Sequence, residues 1–354
     1  MSDSPVILIT GGGGFVGSRF AEIIYLTGFG RARVGVRSWA RAARAARFPV
    51  DIVLCDVLDR RQTAEAMKGV DAVVHCAVGD TPVIVDGTRN VLDAAAQAGV
   101  ARVIHISTAE VYGHHVSGRV DETWPCTPTG NAYADAKIQA EQLVWDYSSR
   151  GLPVTVFRPS IVYGPWSEVW TAALAQCLQS GRWARFDGCA DGTCNLVYVD
   201  DLVAAALTSI YDDQAAGQAF NIGGPDLLSW NEYFERLNSA MGRPPLDVLS
   251  TSRAKAESMV TGVFRGGARL VLDRYGERLM RIYERGGPLA KAMKRVKSWL
   301  NTRPSSKEFE DLYNRKAIYD SSKAQRLLSW RPAVDLDQGL RLSVDWLKYA
   351  GVLN

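Results

Sequence analysis

The first half of the chain alternates short apolar runs with stretches whose apolar residues recur at helical spacing. Runs that are apolar on both faces predict buried strands, and the amphipathic stretches between them predict helices. The predicted strands are Val6–Thr10, Ala32–Val36, Ile52–Leu54, Ala72–His75, Val103–Ile106 and Val154–Phe157. The predicted helices are Phe15–Thr27, Thr63–Lys68, Gly87–Gln97 and Ala132–Ser149. This order predicts an α/β fold, a doubly wound parallel sheet that binds ligands beyond the carboxyl ends of its strands.

After Pro159 the alternation of strands and helices becomes less regular. Helical spacing predicts helices over Glu168–Ser180, Leu202–Tyr211, Asn231–Met241 and Leu336–Tyr349. Short strands are predicted near Leu196–Val199 and Ala219–Ile222. We therefore expect a smaller C-terminal cap built on the sheet.

Composition excludes several classes of protein. The chain has 354 residues, of which 47% are hydrophobic and 22% charged, so a disordered, collagen-like or coiled-coil protein is excluded. It contains no apolar run of about 18 residues and no basic leader, so a cytoplasmic location is expected. The six cysteines are scattered without a CxxC pair, and neither a disulfide framework nor a metal site is expected.

Charge is distributed unevenly along the chain. Residues 253–316 contain 16 Lys or Arg and 7 Asp or Glu, a net charge of +9 in a chain whose total is +3. We expect a basic helical insertion here, and three interpretations remain open: a lid with solvated charges, a peripheral contact with anionic membrane surfaces, or a clamp for an anionic substrate or partner. Nucleic-acid binding is not expected, because no recognised motif accompanies the charge.

A glycine-rich loop joins the first predicted strand to the first predicted helix. Gly11, Gly14 and Gly17 are spaced three residues apart. Glycines at a tight turn let a phosphate approach the amides and the positive dipole end of the helix. In this position the pattern predicts dinucleotide binding. We expect a dinucleotide-binding Rossmann domain over 1–165, a substrate-binding cap over 166–252 and 317–354, with the chain returning to the sheet, and the basic insertion over 253–316.

The end of the second predicted strand indicates which dinucleotide is bound. An NAD-specific site usually carries a carboxylate there that binds the ribose 2′-hydroxyl. This chain instead has Arg37 and Ser38, followed by Arg41. Because a guanidinium binds phosphate well, the sequence favours NADP, while NAD and a solvated basic loop remain alternatives. Asp56, after the third predicted strand, is expected either to accept a hydrogen bond from the adenine amino group or to cap the next helix.

A Tyr-x-x-x-Lys motif begins the predicted helix after the fifth strand. One helical turn places Tyr133 and Lys137 on the same face. A neighbouring ammonium is expected to lower the pKa of the phenol and make it an acid/base near neutral pH. Tyr319 and Lys323 form a second match, but they lie beyond the basic insertion. The loop after the fifth strand supplies Thr108, whose hydroxyl is expected to bind the reacting substrate oxygen together with Tyr133.

Several motifs occur in the order found in one enzyme family. They are Gly11-x-x-Gly14-x-x-Gly17, Asp56-Val57, His75-Cys76-Ala77, Ser107-Thr108-x-x-Val111-Tyr112-Gly113, Tyr133-x-x-x-Lys137, Arg158-Pro159-x-x-x-Tyr163-Gly164-Pro165 and Val197-Tyr198-Val199-Asp200-Asp201. Together they resemble the extended short-chain dehydrogenase/reductases of the NAD-dependent epimerase/dehydratase type. The resemblance covers about residues 5–250 and resumes near 317–350.

The resemblance implies roles for individual residues. Tyr133 would be the catalytic acid/base, Lys137 would bind the nicotinamide ribose, and Thr108 would polarise the substrate oxygen. Cofactor contacts are expected from Gly11, Gly14, Phe15, Val16, Gly17, Arg37, Ser38, Asp56, Val57, Cys76, Ala77, Ser107, Tyr133, Lys137, Arg158 and Pro159. Substrate contacts are expected from Thr108, Tyr163, Arg182 and Arg185. Related enzymes commonly pair through helices like those at 87–99 and 132–150, so a homodimer is expected.

Departures from the family pattern narrow the reaction. Ala109 replaces the acidic or hydroxyl residue that usually precedes Glu110 in dehydratases and decarboxylases, so 4,6-dehydration is disfavoured while Glu110 remains a candidate base. Cys194 stands where many nucleotide-sugar enzymes carry an Arg, and Arg182 or Arg185 would have to compensate. We expect an NAD(P)-dependent oxidoreductase, epimerase or decarboxylase acting on a secondary alcohol or ketone of a sugar or nucleotide sugar. A reductase of a hydrophobic, sterol-like ketone, suggested by Trp166, Trp170 and Trp183, and a non-catalytic dinucleotide-sensing protein are the alternatives.

Overall fold

The computed structural model describes residues 4–181, 183–250, 252–253 and 309–353. Most of the basic insertion therefore lies outside the described residues, as does Arg182. Within the part of the chain that is described, no helix is long and apolar enough to cross a bilayer.

A parallel sheet of seven strands forms the centre of the first of two compact units. Its strands are β1 (Val6–Thr10), β2 (Arg31–Val36), β3 (Asp51–Leu54), β4 (Ala72–His75), β5 (Arg102–Ile106), β7 (Val154–Pro159) and β11 (Gln218–Ile222), in the spatial order β11-β7-β5-β4-β1-β2-β3. The central strands β1, β4 and β5 are buried along almost their whole length. This burial on both faces explains their continuous apolar runs and confirms the doubly wound, Rossmann-type fold.

Helices cover both faces of this sheet. They are α1 (Phe15–Thr27), α2 (Arg60–Ala66), α3 (Thr81–Ala98), α4 (Ala132–Ser149), α6 (Val199–Thr208) and α8 (Ser322–Leu327). One hydrophobic core joins the sheet to α1 and α6 through residues such as Phe20 and Leu202, and a second joins it to α3 and α4 through residues such as Val91 and Val144. Two short parallel pairs complete the unit, β6 (Gly118–Val120) with β13 (Ala317–Tyr319) and β8 (Ile161–Tyr163) with β10 (Leu196–Tyr198).

The second unit contains the described residues of Glu168–Cys194, Leu227–Lys316 and Asp337–Asn354. Its elements are α5 (Leu174–Gln179), α7 (Trp230–Ala240), α9 (Leu336–Tyr349) and the parallel pair β9 (Arg185–Asp187) with β12 (Val248–Ser250). Its core is aromatic. Trp183 lies 5.1 Å from Phe234 between ring centroids, and Trp230 lies 4.8 Å from Tyr313.

The structure differs from the sequence predictions at several elements; for example, the helix predicted at Thr63–Lys68 is α2 at Arg60–Ala66, and the α-helix predicted at Glu168–Ser180 is limited to α5 at Leu174–Gln179. The run predicted at Ala219–Ile222 belongs to β11, which pairs with β7 at the edge of the main sheet. Residues 195–226 and 317–336 belong to the first unit, and the cap expected over 166–252 and 317–354, with the chain returning to the sheet, stays a prediction. Helix α3 begins at Thr81 rather than Gly87, because Pro82 is accommodated in the first turn.

Candidate functional site

The glycine-rich loop has the geometry of a phosphate cradle. Gly11 has a φ of +66°, and a Cβ atom there would lie 2.7 Å from the backbone of Ala77. A Cβ atom at Gly17 would lie 2.5 Å from the carbonyl oxygen of Gly11. Gly14 is the N-cap residue of α1, and among the described residues no side chain accepts a hydrogen bond from the amides at this helix end. These amides are therefore available to bind a pyrophosphate.

The first turn of α1 carries Phe15 and Val16, both half-buried. Further along the helix, Arg19 donates hydrogen bonds to both carboxylate oxygens of Asp200 on α6, each at 2.6 Å. The next residue, Asp201, accepts hydrogen bonds from the backbone amides of Ala333 and Val334. The Asp200-Asp201 motif thus anchors α1 and the segment at 333–334, a role that the sequence analysis did not assign.

A buried polar layer lies at the carboxyl end of β4, beside the glycine-rich loop. The Nδ1 atom of His75 lies 2.7 Å from the hydroxyl of Thr10, and its Nε2 atom lies 3.0 Å from the hydroxyl of Thr88. Burial lowers the pKa of His75 to about 3, with a contribution from the charge of Lys137, so this imidazole is neutral at physiological pH. Burial also raises the pKa of the neighbouring Cys76 thiol to about 12.

The residues expected at the adenosine end lie beyond β2 and β3. Arg37 and Ser38 are exposed. The carboxylate of Asp56 accepts a hydrogen bond from the amide of Leu58, whereas Asp59 caps α2, so the helix-cap interpretation of Asp56 is wrong. Val57 is buried, and its side chain packs so closely on α3 that a Cβ atom at Gly87 would lie 2.6 Å from it.

The catalytic candidates meet at the carboxyl end of β5. Asn131 caps α4 by accepting hydrogen bonds from the amides of Tyr133 and Ala134. This cap starts the helix so that the phenol of Tyr133 lies close enough to the side chain of Thr108 for that side chain to lower the pKa of the phenol. One turn later, the buried Lys137 ammonium donates a hydrogen bond of 2.7 Å to the carbonyl oxygen of Ile106. The structure therefore brings together the three groups that the motif predicted.

The pKa of Tyr133 is shifted in the direction opposite to the sequence expectation. Although 39% of Tyr133 remains exposed, partial burial raises the pKa of its phenol, the nearby Thr108 side chain lowers it, and the negative charge of Glu110 raises it further. Burial also lowers the pKa of Lys137 from 10.5 to about 8. The expectation of a lowered phenol pKa was wrong because burial dominates both groups, and Tyr133 is protonated at neutral pH in this arrangement.

Glu110 lies near Tyr133. It belongs to a short 3₁₀ turn, Ala109–Tyr112, whose N-cap is Thr108. The Oε2 atom of Glu110 lies 3.6 Å from the Nδ1 atom of His114. Ala109 is 2% exposed, so the position that holds a polar residue in related dehydratases is here part of the core.

A buried ion pair that sequence reasoning missed supports the catalytic loop. The hydroxyl of Ser107 donates a hydrogen bond of 2.5 Å to Glu141, and Arg158 donates one of 2.6 Å to the other carboxylate oxygen. Arg158 also donates a hydrogen bond to the hydroxyl of Tyr112 at 2.9 Å. The sequence offered one signal for this ion pair, namely that Glu141 lies one helical turn after Lys137 on α4. The side chains of Ser107 and Arg158 are thus engaged within the protein, and Pro159 ends β7 beside them.

The remaining candidates have contacts of their own. Tyr163 is 2% exposed and packs edge-on against Tyr198. Arg185 belongs to the second unit, where its guanidinium lies 3.5 Å from a carboxylate oxygen of Glu235. Cys194 is fully buried in that unit.

The second Tyr-x-x-x-Lys match is structural. Tyr319 is buried and stacks on Tyr112 with 5.9 Å between ring centroids. Lys323 donates a hydrogen bond to the carbonyl oxygen of Ala219. The structure therefore gives Tyr319 and Lys323 packing and hydrogen-bonding contacts, and the assignment of the reactive pair to Tyr133 and Lys137 stays a prediction.

The chain is similar in sequence to the proteins of one enzyme family. The sequence profile of the NAD dependent epimerase/dehydratase family matches residues 7–223, more than half of the chain. A 3beta-hydroxysteroid-dehydrogenase/decarboxylase isoform 1 of Arabidopsis thaliana is 25% identical over 96% of this chain and 78% of its own length. A UDP-N-acetyl-alpha-D-glucosaminuronate decarboxylase of Bacillus cytotoxicus is 26% identical over 96% of this chain and 97% of its own.

A solved structure shares the fold over nearly the whole chain. The UDP-glucuronic acid 4-epimerase of Bacillus cereus, determined in complex with NAD, superposes with a TM-score of 0.70. The alignment covers 98% of this chain and 99% of that one, at 19% sequence identity. This likeness supports the architecture described above.

Proposed function

The chain belongs to the NAD-dependent epimerase/dehydratase family as an NAD(P)-dependent enzyme, and on that premise we propose that it interconverts a secondary alcohol and a ketone on a sugar or nucleotide sugar. The observation that carries the proposal is the meeting of Thr108, Tyr133 and Lys137 at the carboxyl end of β5. This strand is two places from β1 in the sheet, and β1 leads into the uncapped tip of α1.

The residues present fit a dinucleotide. Gly11 and Gly17 leave a cradle that a Cβ atom would fill, and the α1 amides supply donors for a pyrophosphate. Lys137 is one turn from Tyr133 and would hold the nicotinamide ribose. The bound nicotinamide supplies or accepts a hydride at C4.

Tyr133 exchanges the proton that accompanies this redox change. Its raised pKa keeps the phenol protonated near neutral pH, so it is set to donate a proton to a ketone oxygen. The side chain of Thr108 lies near the phenol and would polarise the same substrate oxygen. The arrangement favours ketone reduction as the step that Tyr133 supports most directly.

Glu110 provides a second proton-transfer group for this reaction. Its carboxylate is near enough to Tyr133 to affect the phenol electrostatically. A carbon next to a transient ketone loses its proton readily, and a carboxylate base beside the acid serves epimerisation. With Ala109 buried in place of a second acid, sugar 4,6-dehydration is disfavoured. Glu110→Gln tests the role of Glu110 as a base: unchanged turnover in this variant would show that Glu110 takes no part in proton transfer.

NADP is the proposed cofactor. Arg37 and Ser38 are both exposed directly after β2, where an NAD site usually carries an acid. A guanidinium there binds the 2′-phosphate by charge-assisted hydrogen bonds. Equilibrium titration tests this preference: NADP(H) should bind more tightly than NAD(H), and equal affinities would contradict it.

A second candidate substrate is a hydrophobic secondary alcohol or ketone of the steroid type. The Arabidopsis thaliana relative favours it, since that protein is a hydroxysteroid dehydrogenase/decarboxylase. Cys194 favours it too, because a buried thiol replaces a phosphate-binding Arg and Arg185 faces Glu235. The tryptophans named in the sequence analysis give less support to a hydrophobic substrate, because Trp183 packs in the aromatic core of the second unit.

One experiment separates these proposals. Purified protein is first analysed for retained nucleotide, then incubated with NADP⁺ or NAD⁺ and with UDP-sugars, UDP-uronic acids or 3β-hydroxysteroids. Formation of reduced nicotinamide or of an epimerised sugar by the wild type, and its loss in Tyr133→Phe, would support the corresponding substrate class. A retained oxidised nucleotide would favour an epimerase that returns the hydride to its substrate. Nucleotide binding without turnover on any substrate class would contradict the proposed reaction.

A further inference from the structure

The segment between β2 and β3 carries the residues proposed to recognise the adenosine 2′-phosphate, yet it has little regular structure. It contains two short 3₁₀ turns, Trp39–Arg41 and Ala45–Arg47. Such turns are only weakly stable by themselves. Accurate placement of Arg37 and Ser38 therefore depends on contacts that the segment makes with the rest of the first unit.

Two contacts join the segment to the phosphate loop and its helix. A Cβ atom at Gly13 would lie 2.4 Å from the carbonyl oxygen of Arg41, so this backbone packs directly on the glycine-rich loop. Arg47 lies 3.9 Å from a carboxylate oxygen of Glu22 on α1. The segment is thus a continuation of the nucleotide-binding surface.

The third contact is with Trp166, which follows β8. The guanidinium carbon of Arg44 lies 4.6 Å from the centroid of the Trp166 ring, and that of Arg47 lies 5.0 Å from it. Both distances are within the range of a cation–π interaction, for which tryptophan is the best partner. Arg47 also donates a hydrogen bond to the carbonyl oxygen of Arg44, which ties the two arginines together.

The backbone of Trp166 is itself unusual. Its φ is +73°, in the left-handed region that bulky residues avoid. Among the described residues other than glycine, Ala190 and Ser329 share a positive φ, and both have smaller side chains. Such a conformation persists only where surrounding contacts hold it, and it is typical of ligand clamps.

We propose that Trp166 is a positioning residue for cofactor specificity: by holding Arg44 and Arg47 it fixes the 37–48 segment so that Arg37 and Ser38 receive the 2′-phosphate. The inference rests on the proposed NADP preference. Because Arg44 and Arg47 contact the indole ring, the proposal assigns recognition of the phosphate to Arg37 and Ser38, with the exposed Arg41 of the same segment beside them. In this proposal Trp166 acts through the two arginines that it contacts.

Calorimetric titration of NADP⁺ and NAD⁺ into wild type and variants tests the proposal without a substrate. Trp166→Ala should weaken NADP⁺ binding about tenfold, the effect of losing two cation–π contacts, and change NAD⁺ binding less than about twofold. Trp166→Phe retains a ring face and should restore most of the NADP⁺ affinity. Tyr349→Ala is the control, since Tyr349 is an aromatic residue 87% exposed on α9 and should leave both affinities unchanged.

The outcomes separate this inference from the proposed function. A wild type that binds NADP⁺ no tighter than NAD⁺ overturns the NADP preference and the specificity role with it. A wild type that prefers NADP⁺, together with a Trp166→Ala variant of unchanged affinities, overturns the role of Trp166 alone. Equal weakening of both nucleotides shows a general scaffold and also overturns it. If the Trp166→Ala protein does not fold, Trp166→Phe and Arg44→Gln decide the question. A retained NADP⁺ preference in Trp166→Phe, together with a selective loss of NADP⁺ affinity in Arg44→Gln, supports the positioning role of Trp166. Unchanged affinities in Arg44→Gln overturn it.

Discussion

Tyr133 and Lys137 lie one helical turn apart, and burial shifts the pKa of each of them. The phenol becomes a weaker acid, and the ammonium becomes a stronger one, with a pKa of about 8. Both shifts favour the neutral form of the side chain, as expected where water is excluded. The proton needed for ketone reduction is therefore present on Tyr133 over the whole neutral range.

Removal of the Tyr133 hydroxyl should abolish proton transfer without preventing nucleotide binding. Tyr133→Phe is expected to lower kcat by roughly a hundred- to ten-thousand-fold, the usual contribution of a positioned acid/base. NADP⁺ affinity, measured by titration, should change little. Tyr319→Phe is the control, because Tyr319 begins the other motif and is buried against Tyr112. Comparable losses of activity in the two variants would show that Tyr133 has no special role.

The buried Lys137 should make stability depend on pH. Its folded-state pKa of about 8 lies below the ordinary value of 10.5, so between these values the unfolded chain binds more protons than the folded one. The free energy of unfolding contributed by this group then rises with pH across that window, by on the order of 3 kcal/mol. Urea denaturation at both ends of the window should show wild type gaining stability relative to Lys137→Met. A constant difference between the two proteins would contradict the pKa shift.

At the scale of elements, the Glu141–Arg158 pair joins α4 to β7 beneath the catalytic loop. Both side chains are almost completely buried, at 3% and 6% exposure. Removing one partner leaves an uncompensated buried charge, which costs far more than the loss of an exposed pair.

Arg158→Met should therefore lower the free energy of unfolding by about 3–5 kcal/mol in chemical denaturation. The exposed pair Arg236–Asp337 offers a matched control, and Arg236→Met should cost less than about 1 kcal/mol. Calorimetric titration of NADP⁺ into the Arg158→Met protein tests whether Arg158 contacts the cofactor, as the family resemblance implied. A stable Arg158→Met protein with weakened NADP⁺ binding would favour that role over the supporting one.

The approach of α1 to β1 depends on a glycine inside the helix. A Cβ atom at Gly17 would lie 2.5 Å from the carbonyl oxygen of Gly11, so Gly17→Ala displaces the phosphate loop. We expect at least about tenfold weaker NADP⁺ binding in calorimetry. Gly28→Ala lies at the other end of α1, where φ is +64° and a Cβ atom meets open space. It should cost about 1 kcal/mol of stability and leave binding intact; equal binding losses would show that helix stability alone matters.

At the scale of the whole molecule, the basic insertion over 253–316 is the feature that the comparisons leave without a role. Its net charge of +9 contrasts with +3 for the entire chain. If it contacts membranes, the full-length protein should co-sediment with phosphatidylserine vesicles at low salt and much less at moderate salt. Phosphatidylcholine vesicles are the control. Absence of salt-sensitive sedimentation would contradict the membrane interpretation.

The expected homodimer stays a prediction, which analytical ultracentrifugation can test.

The amino-acid sequence by itself determined the features that depend on near neighbours. Gly11, Gly14 and Gly17 lie in one short segment that runs from the loop into α1, Tyr133 and Lys137 lie within one helical turn, and the strand–helix alternation is set by local hydrophobic spacing. Only the tertiary structure decided which distant residues meet and how deeply they are buried. It placed β11 in the main sheet, paired Glu141 with Arg158, set Trp166 against Arg44 and Arg47, and raised the pKa of Tyr133. Such effects arise from contacts between residues far apart in the chain and from the exclusion of water, neither of which local spacing contains.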